Sequence, residues 1–181
     1  MAMKKVGTFV VPGKPHGKER PRFNGSTKRA YPTQTQIEAE NDVRRAYYQA
    51  GYERLEFDAL VRVDIVCCYE LPKDMSEAEK KALIGTPAYT GSPVEKKRKK
   101  WERENLGADE KKYGPLPDGD NVLKTVLDGL QGQPRKNAFV AFRDDRQVVE
   151  VSVRSVYGTE SCTQVRITVL SPKEQSGGDA E

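Results

Sequence analysis

Residues 118–131 read DGDNVLKTVLDGLQ, and residues 144–157, after a polar link, read DDRQVVEVSVRSVY. In the first stretch Leu123, Val126, Leu127 and Leu130 recur at i, i+3, i+4 and i+7, the spacing that lines one side of a helix. Asp120 stands where an N-cap belongs. In the second stretch β-branched residues dominate from 148 to 157, which predicts a strand, and residues 164–170 predict another.

Working outward, residues 60–69 (LVRVDIVCCY) alternate and then turn continuously apolar, as a strand entering a core does. A short strand is predicted at 6–11, stopped by Pro12-Gly13. A helix is predicted from Thr33 or Thr35 to about Ala50, and a shorter one over 76–84, where Ser76 and Glu79 have capping-box spacing. Residues 13–32 show no period that could bury a face, and 85–117 read as an inserted basic arm, an exposed helix or mobile segment outside the core. The length fits one small domain, residues 1–172, followed by a polar tail at 173–181.

The composition excludes several classes. Three cysteines without CxxC spacing exclude a disulfide framework and a thiolate zinc site. No stretch approaches membrane-span length, so a soluble, cytoplasmic protein is expected. The charge of +4 is small, and any argument for nucleic acid must rest on where the charges lie. Lys14, Lys18, Arg20, Arg22, Lys28 and Arg29, interleaved with Phe23 and Tyr31, have the composition of a segment that tracks phosphates and stacks on unpaired bases. The run around Trp101 is diluted by glutamates and reads equally well as a solvated arm.

Asp120, Lys124 and Asp128 are spaced i, i+4, i+8 and share one side of the predicted helix. By themselves they fit a solvated face with weak ion pairs. Asp118, Asp144 and Asp145 add to the acids. Carboxylates that converge at ~4 Å repel by about 4 kcal/mol at an effective dielectric near 20, so a cluster protonates or holds a cation. With one histidine and no thiolate pair, the oxygen-only set suits Mg2+ or Mn2+ better than zinc. Such a site performs phosphodiester hydrolysis when a water is activated and a lysine, here Lys124, offsets developing charge.

The run PDGDNVLKTVLDGL followed by DDRQVVEVSV resembles the signature of RusA-type crossover junction endonucleases. The match is tight over 117–153 and looser over the basic segment and the helix after it. The resemblance implies a small homodimeric α+β protein, a mixed sheet with helices packed on it, that cuts branched DNA (the Holliday junction) with Mg2+ in recombination and repair. It implies Asp118, Asp120 and Asp145 as metal-binding catalytic acids and Lys124 as the catalytic lysine. Asp128, Asp144, Asn121 and Gln147 are implied as supporting groups, with Lys111 and Lys112 among the DNA contacts. It points to a phage or prophage origin and to no membrane or small-molecule partner. The links before Asp118 and between Asp128 and Asp145 are longer here than in compact relatives. A non-catalytic DNA-binding protein, or a nuclease preferring flaps or duplex, remains the alternative expectation.

Overall fold

The hydrophobic alternation of the longest predicted strand becomes β4 (Leu60–Glu70), which carries the core: Val61, Val63, Ile65, Cys67 and Tyr69 are all essentially inaccessible. Full burial of each aliphatic member contributes about 1.5–3 kcal/mol. In this computed structural model the described residues are 6–105, 116–131 and 140–170, less the side chains of residues 98, 102 and 105. β1 (Thr8–Pro12) is followed by a hairpin of β2 (Arg22–Asn24) and β3 (Arg29–Tyr31), then by α1 (Gln34–Gln49). After β4 come α2 (Glu77–Leu83), α3 (Pro93–Asn105) and α4 (Gly119–Gln131). A 3₁₀ turn (Asp145–Gln147) leads into β5 (Val148–Gly158), and β6 (Cys162–Leu170) follows.

The sheet has the order β1-β6-β4-β5, with β5 parallel to β4 and the other neighbours antiparallel. This is the mixed sheet of an α+β domain. α1 and α4 pack together on one of its faces, and the other carries Arg62, Asp64, Ser152, Arg154 and Arg166 around an open cleft. Among the described residues no helix is long and apolar enough to cross a membrane.

Four sequence expectations are corrected. The Asp118 carbonyl, not that of Asp120, accepts the first helical bonds of α4, from Asn121 N at 3.0 Å and Val122 N at 3.1 Å. The buried face of α4 is Val122, Thr125, Val126, Gly129 and Leu130, with Leu123 and Leu127 only partly covered. The aperiodic basic segment contains the β2–β3 hairpin, which buries nothing. The arm is not wholly outside the core, since Ala88 and Val94 join it and Glu95 is only 1% exposed. Lys99 Nζ is ion-paired with that carboxylate at 3.0 Å, and the Gly91 amide donates to its other oxygen.

The rotation of the α4 face has a local cause. Gly129 lets α1 approach so closely that a Cβ there would come within 2.7 Å of the Val43 Cβ and 3.0 Å of the Glu40 carbonyl. Gly129→Ala is therefore expected to lower stability by about 1–3 kcal/mol in urea titration, despite the better helix propensity of alanine.

Candidate active site

Asp118 and Asp120 stand exposed at the first turn of α4, where the helix dipole favours carboxylates. Gly119 sits against β5: a Cβ on it would lie 3.2 Å from Val153 Cγ1, so the helix start is pressed onto the middle of that strand. One turn on, Lys124 Nζ is 3.2 Å from Asp120 Oδ2. Both side chains are more than half exposed, so the pair contributes only about 0.3–0.5 kcal/mol and leaves the lysine available.

The basic segment docks on this helix. Lys18 N donates to the Asn121 carbonyl at 2.9 Å, and a Cβ at Gly17 would meet Pro117 and Asn121 at 2.7 and 3.3 Å. Lys18 itself is committed: its ammonium bridges Glu40, at 3.2 Å, and Asp128. Burial works against its charge, but the bonds to Asp128 and Glu40 outweigh that and raise its pKa. Burial likewise opposes the charge on Glu40, and hydrogen bonds from Gln36, Lys18 and Arg44 still hold its carboxyl below the usual range. Lys18 and Asp128 thus fasten the loop to α1 and α4. The exposed charges are further along, on the hairpin, where Arg22, Lys28 and Arg29 accompany Phe23, 67% exposed, and Tyr31. Lys14 and Arg20 lie on the docking loop before it, and Lys111 and Lys112 fall outside the described residues.

The remaining acids occupy a different place. Asp144 caps the 3₁₀ turn through Arg146 N at 3.0 Å, and that hydrogen bond, with the positive charges of Arg146 and Arg143, lowers its pKa. Asp145 follows it, exposed. Gln147 is buried beneath both: its oxygen accepts from Arg143 N at 3.0 Å and Asp144 N at 3.4 Å, and its amide donates to the Glu56 and Ala59 carbonyls at 2.9 and 3.1 Å. This clamp seats the acid turn on the chain entering β4. Gln147→Ala would remove this partner from the Arg143 and Asp144 amides and from the Ala59 carbonyl, leaving the Glu56 carbonyl only its bond from Ala59 N at 3.2 Å, and a loss of about 1–3 kcal/mol in thermal or urea melts is expected.

The two acid groups are at opposite ends of α4. Asp118 and Asp120 begin the helix, whereas its last turn meets the acid turn, through Gln131 Nε2 to the Arg143 carbonyl at 3.3 Å and Ala141 N to the Leu130 carbonyl at 2.8 Å. The helix between them is roughly 18 Å long at 1.5 Å per residue. β5 supplies a second ruler, for Val153, beside Gly119, lies about 17 Å along the strand from Val148, next to the acid turn. Accordingly, among the described residues no group of three or more His, Cys, Asp or Glu side chains could hold a metal ion. Asp118 joins Asp120, and Asp144 joins Asp145, but one chain does not unite the two pairs. The spacing along the sequence carries no signal of this separation.

Exposed carboxylates at the start of α4 thus adjoin a loop that runs into a basic and aromatic hairpin. The chain belongs to the endodeoxyribonuclease RusA family, whose model matches residues 12–169. Among curated proteins no sequence matches it. Membership implies endonuclease activity of the junction-resolving kind.

Proposed function

We propose that this chain is a Mg2+-dependent, structure-selective endonuclease that resolves four-way junctions as a homodimer, each active site using Asp118, Asp120 and Lys124 of one copy and Asp145 of the other. The observation that carries this reading is the separation of the two acid pairs, together with the unpaired edge that lies between them. β5 is the terminal strand. Its far end is covered, since Gly85 N, Tyr157 N and Ala88 N bond to Tyr157 O, Thr86 O and Ser155 O at 2.8, 3.0 and 2.9 Å. Among the described residues nothing pairs with its outer edge from Val148 to Val153, where Val149 is 51% and Val151 50% exposed.

By residue number Val149 is midway between Asp145 and Val153, with the 3₁₀ turn at Asp145–Gln147 making the first half the shorter. Two β5 edges meeting antiparallel about Val149 therefore set Asp145 of one copy beside Val153 of the other, and so beside its Asp118 and Asp120. The same approach sets Asp144 across from Arg154 of the second copy, and it covers both valines. A register shift in the β4 and β5 pairing places a bulge at Val149, a feature that recurs at strand edges beside functional sites. An isologous interface of this kind gives two sites related by a two-fold axis, matching a two-fold substrate.

The donor set is hard carboxylate oxygen, which fits magnesium, with manganese as a substitute. Bound there, the ion supplies Lewis acidity toward the phosphate and a more acidic water. The chain's own groups do the rest. Asp118, Asp120 and the second copy's Asp145 provide negative charge to hold the cation, Lys124 lies where it can offset charge developing on phosphate oxygens, and the hairpin grips the backbone with Phe23 and Tyr31 available for stacking. We place the reaction in recombination and repair in a bacterial cytoplasm, for a phage- or prophage-encoded protein.

The test compares a four-way junction with linear duplex and flap DNA in Mg2+. Paired symmetric nicks in the junction support the proposal. Preferred cutting of flaps or duplex indicates a nuclease of different selectivity, and binding without cutting indicates a DNA-binding protein. Replacing Arg22, Lys28 and Arg29 together by alanine is expected to weaken junction binding ~10-fold or more and to reduce the salt slope by up to about 5, since both copies of the dimer lose three charges, measured by fluorescence anisotropy over a salt series.

A further inference from the structure

Cys68 on β4 and Cys162 on β6 are direct partners in the antiparallel register. Their side chains therefore leave the same face of the sheet, the one opposite α1 and α4, while Cys67 points into the core. Directly opposed residues have Cα atoms about 4.5–5.5 Å apart, inside the range a disulfide spans. The two thiols stand side by side across the β4–β6 register. Their accessibility differs, since Cys68 is 9% exposed and Cys162 is only partly buried. Burial, with Cys162 beside it, pushes the Cys68 thiol up to about 11, so Cys68 is a poor first target for an oxidant.

We propose that Cys162 and Cys68 form an oxidation couple, in which a peroxide oxidises Cys162 and Cys68 resolves the product into a reversible intrachain disulfide. In the first step the Cys162 thiolate attacks one peroxide oxygen, the O–O bond breaks, and the sulfur becomes a sulfenic acid while the departing hydroxide takes a proton to form water. In the second the Cys68 thiolate attacks that sulfur, the S–S bond forms, and the hydroxyl leaves as a second water. Two thiols and one hydrogen peroxide give one disulfide and two waters. The neighbour thus diverts Cys162 from irreversible sulfinic and sulfonic acids. The couple lies on the sheet face opposite α4 and does not depend on the nuclease reading.

The test exposes the full chain to hydrogen peroxide under native conditions, quenches with catalase, alkylates in denaturant and maps tryptic peptides by mass. The expected result is a link between the peptides holding residues 63–73 and 155–166 of one chain, with all three thiols recovered by dithiothreitol. Because the first peptide holds Cys67 as well, variants assign the partner. Cys67→Ala is expected to keep the link. Cys68→Ser, checked for folding by circular dichroism, is expected to lose it and to accumulate Cys162 sulfinic and sulfonic acid that dithiothreitol does not reverse. Irreversible oxidation of Cys162 in wild type, links between chains only, no reaction, or a link that persists in Cys68→Ser would overturn the proposal.

Discussion

Asp120→Asn is expected to reduce junction nicking on the order of 10³-fold or more while leaving junction affinity at or above the wild-type level. The substitution keeps the size and hydrogen-bonding capacity of the side chain and removes one negative charge. Asp120 is exposed, and its ion pair with Lys124 at 3.2 Å is a surface contact, so the loss of stability should stay below about 1 kcal/mol. Catalysis responds differently. A carboxylate that holds a divalent cation against a phosphodiester acts where charge develops in the transition state, and loss of about 4 kcal/mol there corresponds to roughly 10³ in rate. Binding moves the other way because a negative charge no longer opposes the DNA backbone. Nicking of a labelled junction in Mg2+, alongside anisotropy in Ca2+, separates the two. Unchanged nicking would remove Asp120 from the chemistry, and equal losses of binding and nicking would make it a positioning residue for DNA.

Much of the architecture was legible because it is written in local patterns. The alternation of residues 60–69, the capping box at Ser76 and Glu79 and the Thr33 cap of α1 all depend on neighbours within a few positions, and each element appears where those neighbours put it. The errors arose where distant contacts decide. The Leu123, Val126, Leu127 and Leu130 stripe reads as the buried face of α4, yet the close approach of Val43 to Gly129 belongs to a face of Val122, Thr125, Val126, Gly129 and Leu130. Lys18 reads as one of several loose phosphate contacts, and only the fold shows it bridging Glu40 and Asp128. Gln147 reads as a polar residue beside the acids, whereas it is the buried clamp beneath them. The residue types of the candidate site could be read from the sequence, but their grouping could not. Nothing in the interval between Asp120 and Asp145 says that a full helix length separates them, or that β5 has a free edge along the same distance.

That separation makes a mixing experiment decisive. Asp120→Asn and Asp145→Asn are each expected to be inactive as homodimers, and mixing the two variants under conditions of subunit exchange is expected to restore nicking. In a mixed dimer with sites shared across the two-fold axis, one site receives both substitutions and the other receives none. The intact site cuts one strand, so the regained product should be a nicked junction rather than a resolved pair. With random exchange half of the dimers are mixed and each has one of its two sites working, so strand cutting should approach about a quarter of the wild-type rate, the plateau that isologous pairing dictates. If each chain instead built its own site, every site in the mixture would carry one substitution, and the mixture would stay as inactive as its parts. The arginine side of the same geometry gives an internal control. Arg154→Glu, which would set like charges against Asp144 of the second copy, is expected to weaken dimerisation in analytical ultracentrifugation and to lower nicking in proportion to the dimer lost, because the acids of one copy then have no partner at the far end of the strand.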